Sequence, residues 1–156
     1  MRYKSIPHDV NLEDINIKET EYSEQLNELF IRNGLESQPE TETATDLLKT
    51  WEARYGDKLV GGAVLGFREG EFILDGIAVE DDFRGKNLGK RLLNKVLEEV
   101  GERGGKTLYL VARAPDFYRK AGFETVTRDE APTFFECGSC SQYQVSCFPE
   151  LMRFIL

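Results

Sequence analysis

Apolar positions in the first half of the chain alternate more often than they cycle at helical spacing. Ile15-Asn16-Ile17-Lys18 has the period of two expected of a strand. Between Glu21 and Asn33 the period changes: Leu26, Leu29 and Phe30 fall on one helical face, and Gly34 is a natural stop. Glu36 to Thr43 is polar, contains Pro39 and reads as a loop, with a short helix expected through Leu47 and Leu48. Trp51 to Tyr55, Leu59 to Phe67 and Phe72 to Val79 read as strands, the second broken by Gly61-Gly62. Turns at Gly56-Asp57-Lys58 and Arg68-Glu69-Gly70 join them, so the pattern predicts an antiparallel meander.

The second half is organised differently. Leu88, Leu92, Leu93, Val96, Leu97 and Val100 form a wide helical stripe, ended by the glycines at 101, 104 and 105. Thr107 to Val111 is a strong strand, so the strand before the helix and this one form a crossover and should lie parallel. Asp116 to Ala121 reads as a short helix closed by Gly122. Phe123 to Thr127 and Leu151 to Leu156 read as further strands, and 128–148 as irregular. The expected fold class is α/β (mixed α+β): a central mixed sheet, with an N-terminal antiparallel meander and a parallel β-α-β crossover, flanked by helices. The 156 residues suit one domain over 1–156, and the chain shows neither a repeat nor a linker.

Composition narrows the function classes. A net charge of -8 argues against general nucleic-acid binding, which needs a broad basic face. The apolar runs are too short for a bilayer, so no membrane partner is expected. The segment Met1-Arg2-Tyr3-Lys4-Ser5-Ile6-Pro7-His8 lacks the apolar stretch of a secretory signal, which points to a cytoplasmic protein. An odd count of 3 cysteines fits a reducing compartment better than a disulfide framework.

Against this acidic background one stretch stands out. Arg84, Lys86, Lys90, Arg91 and Lys95 fall between Phe83 and Leu97 with no Asp or Glu among them. They surround Arg84-Gly85-Lys86-Asn87-Leu88-Gly89, where a strand runs through a turn into a helix. Free N–H groups at a helix start, the helix dipole and nearby cations together suit a phosphate group. It is not a Walker loop: only three residues separate Gly85 from Gly89, and Arg91 stands where the hydroxyl should be. The dinucleotide pattern G-x-G-x-x-G is absent too. On this turn alone, a glycine turn with merely solvated cations remains an equal reading.

The segment from Ile73 to Phe123 resembles the core of the GNAT superfamily of acyl-coenzyme A-dependent N-acetyltransferases. The family's [Gln/Arg]-x-x-Gly-x-[Gly/Ala] loop is matched by Arg84 to Gly89, followed by the usual basic residue, Lys90. Its aromatic-Tyr pair, three residues before Gly-Phe, is matched by Phe117-Tyr118-Arg119-Lys120-Ala121-Gly122-Phe123. One departure is Asn87, where the family has the first glycine of Gly-x-Gly. Asn replaces Gly best if that position is left-handed. The resemblance implies acetyl-coenzyme A as cosubstrate. The backbone of Ile77, Ala78 and Val79 would pair with its pantetheine arm. Arg84, Gly85, Lys86, Asn87, Leu88, Gly89 and Lys90 would hold its pyrophosphate, and other cations of the island could meet the 3′-phosphate.

Acetyl transfer from a thioester to an amine needs a neutral amine, a stabilised oxyanion and a protonated leaving sulfur. With an alkylammonium pKa of ~10, only about one amine in a thousand is nucleophilic at pH 7. Tyr118 reads by itself as a core aromatic; the resemblance implies a general acid toward the coenzyme A sulfur. Asp75 lies in an otherwise apolar strand, where a charge is costly unless paired or useful. By the period of two it shares a face with Glu71, Ile73, Ile77 and Val79. The resemblance implies that this face looks toward the acetyl group, which makes Asp75 and Glu71 candidates for removing the amine proton or gripping a cationic acceptor, beside structural readings for both. Arg113 could bind an acceptor carboxylate or be a surface cation.

Cys137-Gly138-Ser139-Cys140 with Cys147 forms a knuckle near a third thiol, but a structural zinc site wants a fourth ligand, and His8 is remote. No metal is expected. The expected function is therefore direct acetyl transfer from acetyl-coenzyme A to a primary amine of a small molecule or amino acid. Two other classes stand beside it: a coenzyme A-binding regulatory module without turnover, and a metal-binding interaction protein using the C-terminal cysteines. A homodimer is compatible with the sequence, but nothing in it fixes the oligomeric state.

Overall fold

The structure, a computed structural model, describes residues 14–33, 46–84, 87–112, 115–127 and 150–156. Among the described residues the α-helices and β-strands follow in the order β1 (Ile15–Thr20), α1 (Glu24–Arg32), β2 (Asp46–Tyr55), β3 (Lys58–Arg68), β4 (Glu71–Val79), α2 (Leu88–Glu102), β5 (Thr107–Ala112), α3 (Pro115–Lys120), β6 (Glu124–Thr125) and β7 (Glu150–Ile155), with a 3-10 turn, Asp81–Phe83, between β4 and α2. The strands make one seven-stranded sheet in the order β1-β2-β3-β4-β5-β7-β6. Strands β1 to β4 are the expected antiparallel meander, and β4 and β5 are parallel across the α2 crossover. The last strand, β7, slots between β5 and β6 and is antiparallel to both.

Helix α1 starts at Glu24 rather than Glu21 because Ser23 caps it, its hydroxyl accepting from Leu26 N–H at 3.3 Å. Its buried Leu26, Leu29 and Phe30 pack with Val64 and Ala78 on one face of the sheet. The α2 stripe covers the other face: Leu88, Leu92, Leu93, Val96 and Val100 are all buried, together with Phe83, Leu108 and Leu110. Gly61 and Gly62 do not break β3, which runs unbroken through both. A Cβ on Gly62 would lie 2.5 Å from Leu26 Cδ2, and one on Gly61 would lie 3.2 Å from Leu92 Cδ1. The two glycines therefore let a helix approach each face of the strand.

Three β-bulges account for most of the other departures from the expected pattern. At Leu48 the β2–β3 register slips, with Leu47 opposite Gly66 and Lys49 opposite Leu65. Leu47 and Leu48 therefore belong to a strand, not to the expected short helix; the bulge places two apolar residues in succession and so imitates a helical pattern. Val60 is the extra residue where Ala53 faces Gly61 and Arg54 faces Leu59. The third bulge lies at Asp75, between Leu74 (opposite Leu65) and Gly76 (opposite Val64).

Both longer turn signals hold. Gly56-Asp57 closes a tight hairpin between Tyr55 and Lys58, and Glu69-Gly70, with φ of 52° and 81°, has the positive angles of a type I′ turn. The expected strand Phe123 to Thr127 contracts to Glu124–Thr125. Phe123 is used instead to close α3: Phe123 N–H donates to Tyr118 O at 2.9 Å and Gly122 N–H to Arg119 O at 3.1 Å, a Schellman pair with Gly122 at φ 102°. The expectations for Gly34, for the loop from Glu36 to Thr43, for His8, for Arg113 and for the cysteines at 137, 140 and 147 fall outside the described residues.

Candidate active site

Strands β4 and β5 pair only at Phe72↔Leu108 and Ile73↔Tyr109, then separate. Their divergence opens a cleft of about 790 Å³. Its walls include the outer edge of β4 from Leu74 to Val79, the start of α2 from Asn87 to Lys90, Leu110 and Val111 of β5, and Phe117 and Tyr118 of α3. Two motifs more than twenty-five residues apart in sequence thus face one space.

The bulge at Asp75 decides which side chains of β4 point where. Phe72, Leu74, Ile77 and Val79 all join the core on the α2 side, whereas Ala78 packs under α1. The expected single face of Glu71, Ile73, Asp75, Ile77 and Val79 does not exist, because the extra residue shifts the alternation by one. Asp75, the bulged residue, is exposed and lines the cleft. Glu71 instead sits opposite Arg68 at the hairpin end of the strand and is not part of the cleft wall. The Asp75 carboxylate reaches a group the sequence did not single out: together with burial, the larger cause, its charge raises the Tyr22 phenol above the ordinary value.

Beyond the bulge, Glu80 N–H donates to Val60 O at 2.9 Å, so the ladder with β3 continues to the end of β4. Alternation along an antiparallel pair then turns the peptide groups of Ile77 and Val79 toward the cleft and those of Ala78 toward β3. The Val79 carbonyl also accepts a hydrogen bond from Arg84 Nε at 3.1 Å.

Asn87 sits at the α2 N terminus with φ 63° and ψ 12°, the left-handed conformation that makes Asn the natural stand-in for Gly. Its side chain makes no capping hydrogen bond, so it does not occupy the first-turn N–H groups of Leu88, Gly89 and Lys90. The space over Gly89 has a protein occupant: a Cβ there would lie 3.3 Å from Cζ of Phe117. Gly89 thus lets α3 approach the start of α2. Gly85 and Lys86 lie outside the described residues. Of the basic island, Lys90 is exposed at the cleft, while Arg91 reaches back to Ile15 O at 3.4 Å. Arg84 is engaged with the protein itself, through Val79, Asp81 and Asn33. Lys120 of α3 adds a cation to the cleft wall that the sequence reading did not include.

Tyr118 is 8% exposed and its ring stands edge-on to Phe117 at 5.1 Å and to Phe123 at 5.6 Å. Burial pushes its phenol up to about 12. It therefore keeps its proton throughout the physiological range and is always able to donate. An open strand edge, uncapped α2 amides behind a left-handed Asn87 and a buried phenol make a site that fits an extended thioester carrier containing a diphosphate.

Residues 12–123 match the Acetyltransferase (GNAT) family. The chain belongs to that family. Members of that family whose structures are similar to this one have been solved with coenzyme A or acetyl-coenzyme A bound. Among curated proteins the chain is similar to a [ribosomal protein bS18]-alanine N-acetyltransferase of Salmonella typhimurium, with 33% identity over 84 residues. That match takes in 49% of this chain and 57% of the relative, so the shared segment spans little more than half of the relative's length. The GNAT fold itself is shared with the ribosomal-protein-S18-alanine N-acetyltransferase from Escherichia coli, at TM-score 0.64 and 22% identity over 90% of this chain and 93% of that one. It is shared also with a GNAT acetyltransferase from Elizabethkingia anophelis with acetyl-CoA bound, at TM-score 0.62 and 18% identity over 92% and 99%.

Among the described residues, no helix is long and apolar enough to cross a membrane. Among the same residues, no group of three or more His, Cys, Asp or Glu is placed to hold a metal ion.

Proposed function

We propose that this GNAT enzyme transfers acetyl directly to a primary amine across the β4–β5 cleft. The observation that carries the reading is the meeting, in that one cleft, of the α2 N-terminal amides and the Tyr118 phenol. Acetyl-coenzyme A supplies an activated acyl group on a good leaving sulfur. The chain's own residues do the rest. The amides from Asn87 to Lys90 bind the diphosphate with the helix dipole behind them. The Ile77 and Val79 edge of β4 aligns the pantetheine arm as an added strand. Asp75 takes the proton from the attacking amine, directly or through water. Tyr118 donates a hydrogen bond to the charge that grows on sulfur. Because burial holds its proton more tightly than a thiol holds its own (pKa ~8.5), its contribution is stabilisation of that charge rather than outright proton loss.

The acceptor is a small amine or amino acid on the sequence reading. A second reading, an N-terminal alanine of a protein, is favoured by the named activity of the Salmonella relative. A transfer assay with free amino acids, polyamines and alanine-ended peptides separates them. Tyr118→Phe should lower turnover on the productive acceptor by about a hundredfold or more and leave the Kd for coenzyme A within twofold. Undiminished turnover would remove Tyr118 from the mechanism.

A further inference from the structure

The segment between β4 and α2 is held from two sides. From inside, Phe83 is fully buried in the core, its ring 5.6 Å from that of Tyr55. From outside, it is held by the last residues of α1, a helix on the opposite face of the sheet. Arg84 makes three contacts. Nε donates to Val79 O at 3.1 Å, Nη1 lies 2.6 Å from Asp81 Oδ1, and Nη2 donates to Asn33 Oδ1 at 2.7 Å. The Asn33 amide is used fully, its Nδ2 donating to Leu29 O at 2.8 Å and to Glu80 Oε1 at 2.9 Å. Glu80 Oε2 in turn accepts from Arg32 Nη2 at 3.1 Å.

One amide side chain thus ties the α1 C terminus to both ends of the segment from Glu80 to Arg84. Only two residues separate that segment from Asn87, where the amides of Asn87 to Lys90 begin α2. Asn33 itself lines the cleft. Charge-assisted hydrogen bonds on a residue already locked by its own helix carbonyl are well suited to such a task.

We infer that Asn33 is a positioning residue for the diphosphate, acting through Arg84 and Glu80 and not by touching the chemistry. The inference rests on the reading that the α2 N terminus holds that group. Arg84, by the same geometry, is a brace of the turn and not a direct phosphate ligand.

The test compares coenzyme A with S-acetylpantetheine, which shares the arm and lacks the diphosphate. Calorimetry of Asn33→Ala should show a Kd for coenzyme A about tenfold weaker, the size of one hydrogen bond to a charged group. The kcat/KM for S-acetylpantetheine, assayed on whichever amine the transfer screen identifies, should stay within twofold of wild type. Arg84→Gln breaks the same bond from the other side and should reproduce the loss, with the double variant no weaker than the worse single one. If Asn33→Ala melts before it can be titrated, Asn33→Ser, whose short hydroxyl cannot bridge Arg84 and Glu80, carries the comparison instead, since Arg84→Gln also frees the Val79 carbonyl on the pantetheine edge. Unchanged coenzyme A affinity, additive losses, or equal loss for both ligands would overturn the inference. Failure of the wild type to bind coenzyme A would overturn the site reading instead, and this inference with it.

Discussion

At the scale of single residues, Tyr118 couples the proposed chemistry to a physical signature. Burial pushes its phenol from the ordinary tyrosine value of about 10 up to about 12. The native state therefore holds this proton more tightly than the unfolded chain does. Stability from that difference is complete below about pH 10 and is lost as pH rises through 12, a loss of roughly 2–3 kcal/mol. Denaturant titrations should show wild type losing about that much stability relative to Tyr118→Phe over that window, because the variant has no such proton to lose. Parallel curves would mean that the phenol is better solvated than it stands here. Asn87 gives a second residue-scale test. In a left-handed position Asn87→Ala should cost about 1 kcal/mol, whereas Asn87→Gly should be neutral to within about 0.5 kcal/mol. Thermal melts of the two variants check this. Equal costs would show that the side chain matters for something other than its backbone angle.

At the scale of elements, approach distances and bulges matter most. Gly62 admits Leu26 so closely that Gly62→Val should push α1 off β3, at a cost of about 1–3 kcal/mol. Equilibrium unfolding measures that cost. Unchanged stability would mean that α1 sits on the sheet with room to spare. The bulges also explain what the sequence revealed and what it hid. Helix stripes and tight turns were legible because Leu88 to Val100 and Glu69-Gly70 obey local rules. The start of α2 and the short helix carrying Tyr118 were legible as elements because they are written in consecutive residues. Leu47-Leu48 and the Asp75 face were misread because a bulge changes the alternation without changing composition. Asn33, Tyr22 and Lys120 were missed for other reasons. Asn33 and Tyr22 come near the cleft only through tertiary packing, which no local spacing marks, whereas Lys120 stands inside the Tyr118 motif and looks there like any exposed lysine.

At the scale of the whole molecule, the sheet is nearly two sheets. The meander β1 to β4 meets β5, β7 and β6 through only two register pairs, and the candidate cleft is the wedge left by their divergence. The position of β7 was not legible, since its insertion between β5 and β6 is set by chain return and not by any pattern within the strand. The net charge of -8 opposes an anionic cosubstrate, while Arg84, Lys90 and Lys120 gather positive charge at the cleft. Coenzyme A affinity should accordingly fall several-fold between 0.05 and 0.5 M salt as the short-range attraction is screened. Calorimetry across that range checks it, and salt-independent binding would place the phosphates away from these cations. The most direct test of the account is an amide-resolved NMR titration of the full chain with coenzyme A. The largest shifts should fall on the N–H groups of Leu88, Gly89 and Lys90 and on Ile77 and Val79. Saturable binding that leaves those amides unmoved would contradict it.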